Sequence, residues 1–167
     1  VGGVILSKER VFISHENRIL IKYTLLEAHS PTLLRFRPFL AFRNVNTLSY
    51  ENDNINRSYQ EIENGIATAL YENFPLLYMQ FSKKPDFVFM PNWYKGIEYM
   101  KEQERGYDFK EDLYVPGYFE LPIKKGESII FSAGVSNVQP TKLKKMYDEE
   151  LTKRTLRLDF FHCLKNA

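Results

Sequence analysis

One cysteine, Cys163, stands in a chain of 167 residues. A single thiol excludes an internal disulfide, so a packed core has to supply the stability, and nothing in the cysteine usage points to an oxidising compartment. No apolar run approaches the ~18 residues of a membrane span. The opening VGGVILSKERVF carries charges where the apolar centre of a signal peptide would sit. Excess charge is missing too. A formal net charge of +2 argues against the concentrated basic face of a nucleic-acid binder. His15, His29 and His162 are too dispersed for a metal site, and no Cys–His cluster accompanies them. The glycines match neither phosphate-loop nor dinucleotide patterns. Ser132-Ala133-Gly134 lacks the glycine two residues before the serine that a nucleophile elbow needs. These absences lead to the expectation of a cytoplasmic protein with no cofactor, no metal, no nucleic acid and no membrane partner. The lack of an initiating methionine and an uncapped terminal helix pattern predict a fragment of a longer chain.

What the chain has in abundance is aromatic surface, 13 Phe and 11 Tyr. Such residues favour pleated strands and supply large flat faces for packing or stacking. The length suits one domain, which buries about two thirds of its unfolded surface without a covalent staple. Residues 4–6 form a short apolar run and 10–14 another, ending at His15-Glu16-Asn17, a tight turn. Residues 18–27 then alternate, with Ile19, Ile21, Tyr23 and Leu25 on one face, so the pair reads as a hairpin. Residues 33–42 predict a further long strand. There Arg35, Arg37 and Arg43 share one face, Leu34 and Phe36 take the other, and Pro38 marks an edge or bulged position. The polar, Asn-rich residues 44–58 form a long loop of the kind that is often functional. Strands are predicted at 65–72, 76–82, 86–90 and 93–99, then a helical turn at 101–107 closed by Gly106. Two more strands, 114–123 and 128–132, are expected to be joined as a hairpin by Lys124-Lys125-Gly126-Glu127. From Pro140 the period changes: Leu143, Met146, Tyr147, Leu151, Thr155, Leu158 and Phe161 mark an amphipathic helix starting near Thr141. Many strands followed by one helix is a mostly β order. It predicts an antiparallel β-sandwich over 1–138 and a C-terminal α-helix over 139–167, not an alternating βαβ fold.

Residues 93–121, WYKGIEYMKEQERGYDFKEDLYVPGYFEL, concentrate aromatics and carboxylates. Apolar and charged residues share nearly every position, and Gly96, Gly106 and Gly117 punctuate irregularly. That is the texture of a binding or docking surface carried on loops. Glu102, Glu104, Glu111, Asp112 and Glu120 crowd it. Paired carboxylates ~5–10 Å apart perform glycoside hydrolysis. Adjacent Glu111 and Asp112, however, point apart on a strand, and a solvated acidic loop, or neutralisation by Arg105 and Lys110, is the simpler reading. Trp93, Tyr94, Tyr99, Tyr107, Tyr114, Tyr118 and Phe119 offer rings that stack on sugars or fill a core. Trp93, between a Pro-Asn turn and a polar run, is the expected exception to core packing. Arg35, Arg37 and Arg43 either clamp an acidic ligand or, more simply, pair with carboxylates such as Glu51 or Asp53 and fix the long loop to the sheet. Cys163 reads as a packed thiol.

Two stretches, RFRPFLAFRNVNTL and then 93–121, carry a family resemblance. In order, Arg37-Pro38, Phe42-Arg43, Trp93-Tyr94, Tyr99, Glu102, Glu104-Arg105-Gly106, Glu111-Asp112-Leu113 and Pro116-Gly117 resemble the N-terminal domain of bacterial and archaeal glycogen debranching enzymes (the amylo-α-1,6-glucosidase family). The resemblance covers essentially the whole chain, although the loop 44–63 matches no part of the pattern. It implies a large β-sandwich of the galactose-mutarotase-like kind, placed ahead of a helical glucosidase barrel absent from this chain, with 139–167 as the linker into that barrel. It implies a non-catalytic domain of a glycoside hydrolase, supporting α-glucan (glycogen or maltooligosaccharide) binding and packing on the barrel in glycogen and starch breakdown. Trp93, Tyr94, Tyr99, Glu102 and Tyr118 are then expected to contact glucan or barrel. Arg43, Glu104, Arg105, Glu111 and Asp112 are expected to fix the surface by pairing. Two other outcomes stay open: 4-α-glucanotransferase activity carried by Glu102, Glu104, Glu111 or Asp112, and a purely structural interdomain docking role.

Overall fold

The computed structural model describes residues 3–165, with side chains placed for 3–156. The chain runs β1 (Ile5–Phe12), β2 (Arg18–Glu27), β3 (Thr32–Phe36), β4 (Gln60–Ile62), β5 (Gly65–Thr68), β6 (Leu77–Phe81), β7 (Asp86–Glu98), α1 (Met100–Glu104), β8 (Lys110–Ile123), β9 (Ser128–Gly134), a 3-10 turn at Pro140–Lys142 and α2 (Leu143–Lys165). The strands pair antiparallel in two sheets. Sheet A has six strands in the order β1-β2-β9-β6-β5-β4, and sheet B has three in the order β3-β8-β7. The mostly β, antiparallel sandwich with one C-terminal helix is therefore the observed architecture. Among the described residues no helix is long and apolar enough to cross a membrane.

The two faces of sheet A bury different things, as period-two alternation requires. Its inner face sends Leu25, Ile66, Met79, Phe81 and Ile129 against Phe119, Leu121 and Ile123 of sheet B. Phe81 is the bridge between the layers, with ring centroids 5.0 Å from Phe119 and 5.2 Å from Phe36. Its outer face sends Val11, Leu20 and Ile130 against Leu143 and Tyr147 of α2. The buried stripe of α2 runs 143, 147, 150. Glu150 takes the place that periodicity assigns to Leu151, which is 43% exposed. The reason is polar: the Glu150 carboxylate accepts from the Ser14 amide at 3.2 Å and the Ser14 hydroxyl at 2.8 Å. Arg154 then donates to the Phe12 carbonyl at 2.6 Å. Leu158, Phe161 and Cys163 lie outside the described side chains.

Three expectations are corrected. The strand at 33–42 stops at Phe36, because Pro38 has no amide for the ladder; beyond it only Leu40 bridges to Tyr114. Residues 93–121 are not a loop surface. Most of them belong to β7 and β8, which pair with register shifts between Phe89 and Asn92 and between Tyr94 and Ile97. β7 tolerates Pro91 because it is the outer strand of sheet B. Residues 124–127 are not a hairpin loop either. They carry the chain from β8 in sheet B to β9 in sheet A, where β9 pairs with β2 and β6. The Gly126 amide donates to the Leu25 carbonyl at 2.7 Å, tying this crossover to β2.

Pro116 lies in the central strand of sheet B, where a missing amide would normally cost a ladder bond. The ladders break on both sides of it. β7 passes from Phe89↔Gly117 to Asn92↔Val115, and β3 has ended at Phe36↔Phe119. Gly117 beside it has φ +152, and a Cβ there would overlap the Val88 carbonyl oxygen. Gly117→Ala should therefore cost about 2–4 kcal/mol and lower Tm by roughly 5–10 °C in a thermal melt. Gly96→Ala, also at positive φ but with open space around it, should cost only about 1 kcal/mol.

Candidate functional site

The polar centre of the molecule is the carboxylate of Glu111 on β8, which is 0% exposed. A buried charge is tolerated only when it is paired and fully hydrogen-bonded. Arg43 grips it with Nε and with Nη2, the latter at 3.1 Å. The Tyr99 hydroxyl donates at 2.6 Å, the Ser49 amide at 3.2 Å and the Ser49 hydroxyl at 2.9 Å. Burial pushes the Glu111 pKa up, but Arg43, Tyr99 and Ser49 outweigh it and hold the group down from 4.5 to about 2. The same contacts act in reverse on the partners. The Arg43 guanidinium is raised by Glu111, and the Tyr99 hydroxyl is raised by burial and then by the carboxylate. Asp112 points to the other side of β8, as adjacent strand residues must. Its oxygens accept from the Glu51 amide at 3.0 Å and the Gly96 amide at 2.8 Å, and these two bonds lower its pKa.

These two carboxylates anchor the Asn-rich loop, whose composition has a local cause. Asn44, Asn52 and Asn56 each accept from the backbone amide two residues on, at 3.0, 3.1 and 3.0 Å. Three such turns fold a segment that has little apolar surface of its own. The spacing (Asn-x-Asn twice, then Asn-x-Ser) is visible in the sequence. The loop is brought opposite α1, and between them lies a groove of about 950 Å³. One wall carries Asn46, Thr47 and Tyr50, the other Glu102, Arg105, Tyr107 and Asp108, and Arg43 and Tyr99 are at its base. Tyr50 is 55% exposed and Tyr107 60%. Glu102 pairs with Arg105 at 3.1 Å, and the Arg105 guanidinium lies 5.2 Å from the Tyr107 ring centroid, so one ion pair braces one exposed ring.

Of the expected contact residues, the groove gathers Tyr99 and Glu102. Tyr94 and Tyr118 lie elsewhere on sheet B: Arg37 donates to the Tyr94 hydroxyl at 2.5 Å, and the Arg35 guanidinium stacks 4.2 Å from the Tyr118 ring centroid. Trp93 is corrected. It is 8% exposed and sits in the core between the sheets, edge-on to Tyr114 at 5.6 Å. The register shift before Asn92 resets which β7 residues face inward. Among the described residues, the Trp93 Nε1 and the Tyr114 hydroxyl have no hydrogen-bond partner.

Of the expected pairing residues, Arg43 and Glu111 meet, while Glu104 and Arg105 do not meet each other. Glu104 pairs with Lys101 at 2.7 Å on the exposed surface of α1. The arginines find other carboxylates than expected: Arg35 takes Glu120, its cross-strand neighbour, and Arg43 takes Glu111. Glu51 pairs instead with Lys95, and Asp53 with Arg57 at 3.6 Å. Tyr50, Ser49 and Asp108 escape the sequence reading, because only the closure of the loop onto α1 brings them together.

Chemically, the groove offers two exposed phenol rings, amide and hydroxyl groups and a charge-paired rim. Glu111 is buried and ionised at neutral pH, and both oxygens of Asp112 are occupied by backbone amides, so neither stands free as an acid or base toward the groove. The fold and the groove define a β-sandwich domain with a polar, aromatic-edged groove. The profile of the family described as "Glycogen debranching enzyme N terminal" matches residues 1–130, and the chain belongs to that family. No curated protein matches the chain, and no solved structure does.

Because the Glu111 pKa is depressed in the folded state, its stabilisation is full above about pH 4.5 and disappears as the pH falls toward about 2. Glu111→Gln should remove about 3 kcal/mol at pH 7 and flatten the acid limb of a stability-versus-pH curve measured by urea unfolding. Trp93→Phe deletes a buried donor that has no acceptor and should leave Tm unchanged or slightly raised. Trp93→Ala should cost about 3–5 kcal/mol through the cavity it opens.

Proposed function

We propose that this chain is the non-catalytic N-terminal domain of a cytoplasmic glycogen debranching enzyme, and that it holds α-glucan in the groove between residues 43–50 and 99–108. Family membership supplies the context, and the groove supplies the site. The observation that carries the reading is the pair of exposed rings, Tyr50 and Tyr107, on opposite walls above a base held rigid by Glu111. Glucose rings present apolar C–H faces to aromatic rings and hydroxyls to amides and carboxylates. A groove that sets tyrosines beside Asn46, Thr47, Glu102 and Asp108 matches both demands. The pairing of Glu102 with Arg105 and of Glu111 with Arg43 favours binding over transfer or hydrolysis. In the whole enzyme the domain packs on the glucosidase barrel. The exposed Val88, Phe89 and Met90 on the outer strand of sheet B supply apolar surface for that contact.

Titration of the chain with maltoheptaose, followed by amide chemical shifts, tests the glucan half. Saturable binding in the millimolar range is expected, with the largest shifts at residues 44–50 and 102–108. Tyr107→Ala and Tyr50→Ala should each weaken it about threefold to tenfold. Absence of shifts at about 10 mM ligand, or shifts unaltered by both substitutions, would rule the groove out.

A further inference from the structure

A second opening shares no residue with the groove. Sheet A has six strands and sheet B only three, so the smaller sheet leaves part of the larger one's inner face uncovered. The uncovered part lies beyond β3, one edge of sheet B. Ile21, Tyr23, Phe131 and Ala133 face sheet B there, yet are only partly buried. With Phe36 and Met79 they line a cleft of about 520 Å³; Arg35 and Arg37 border it, with their guanidinium groups turned to Glu120, Tyr118 and Tyr94.

Strand β1 sets two cations beside residues that line the cleft. Lys8 is in register with Tyr23, and its ammonium lies 5.6 Å from that ring centroid; Arg10 is in register with Ile21. Arg35 is neutralised by Glu120. Among the described residues, Lys8 and Arg10 have no carboxylate within ion-pair distance, whereas the Arg37 guanidinium is turned to the other face of sheet B, onto the Tyr94 hydroxyl and the Tyr118 ring. A wall of aromatic and aliphatic side chains with two unneutralised cations at its margin selects a ligand that has both an apolar body and a negative head.

We propose that this cleft binds an amphipathic organic anion, an acyl or aryl chain with a carboxylate head, its chain lying along Tyr23, Phe36 and Phe131 and its head between Lys8 and Arg10. A further β-strand is a poorer occupant. β3 has five residues bracketed by Pro31 and Pro38, which leaves few outward backbone groups to pair with. A second copy joined edge to edge at β3 would set Arg35 and Arg37 against their own counterparts.

Isothermal titration of the 167-residue chain with laurate, below its micelle-forming concentration, tests this. Saturable one-to-one binding is expected. The exposed double variant Lys8→Gln/Arg10→Gln should weaken it about tenfold. Ala133→Phe, which fills the cleft from its β9 wall, should abolish it, with circular dichroism melts showing that both variants are folded. Dodecanol, which has the same chain without the charge, should bind both the parent chain and the double variant equally weakly. No heat from laurate overturns the proposal, as does laurate bound by the double variant and by Ala133→Phe as tightly as by the parent chain. A sedimenting dimer that the Ala133→Phe substitution dissociates would assign the cleft to a second copy and overturn it as well.

Discussion

The ionised carboxylate of Glu111, out of contact with water, is the constraint on which the groove depends. A buried anion is stable only while every donor aimed at it stays in place. Those donors come from three places: Arg43 at the head of the Asn-rich loop, Ser49 within it, and Tyr99 at the start of α1. Moving either wall of the groove would strand the charge. Asp112 repeats the arrangement on the other side of β8 by binding the amides of Glu51 and Gly96. A loop with almost no apolar surface is thus fixed by electrostatics where packing cannot fix it. The rings of Tyr50 and Tyr107 can then remain exposed without the segments that carry them losing definition.

The framework follows a different rule. Apolar alternation decides which face of each strand is buried, and sheet A uses both of its faces, one for sheet B and one for α2. The groove residues belong to segments flanking sheet B, whereas α2 lies on the outer face of sheet A. The groove and the helix are therefore served by separate layers. Changes in the packing of Tyr147 or in the Ser14–Glu150 contact have little direct route to the Glu111 network.

Much of the fold was legible in the sequence. The alternation of β2, the turn at His15, the period change after Pro140 and the order of strands before one helix all lead to a sandwich with a helical exit. What was not legible depends on partners distant in sequence. Lys124-Lys125-Gly126-Glu127 has the chemistry of a tight connection whether the chain folds back or crosses to another sheet, and only the pairing of β9 with β2 and β6 separates the two. Trp93 is flanked by polar residues, but a register shift in β7 turns it inward, and alternation carries no sign of such a shift. At the site, Arg43, Tyr99, Glu102, Arg105, Glu111 and Asp112 were visible as a cluster of interest. Their roles were not, because Glu111 meets Arg43 and Ser49 across more than sixty residues of chain. The Asn spacing was readable as backbone chemistry and explains the loop without any ligand.

The place of β9 between β2 and β6 has a consequence for how the molecule is made. Residues 18–24 pair with residues 128–134, so the middle of the larger sheet stays open until the last strand leaves the ribosome. At about 5–20 residues per second the β1–β2 hairpin waits several seconds with one edge unsatisfied. The inward side chains of β2, Ile21, Tyr23 and Leu25, are exposed for the same interval. Long-range closure of this kind folds slowly, and until β9 arrives the free edge of β2 is open to pairing with another chain.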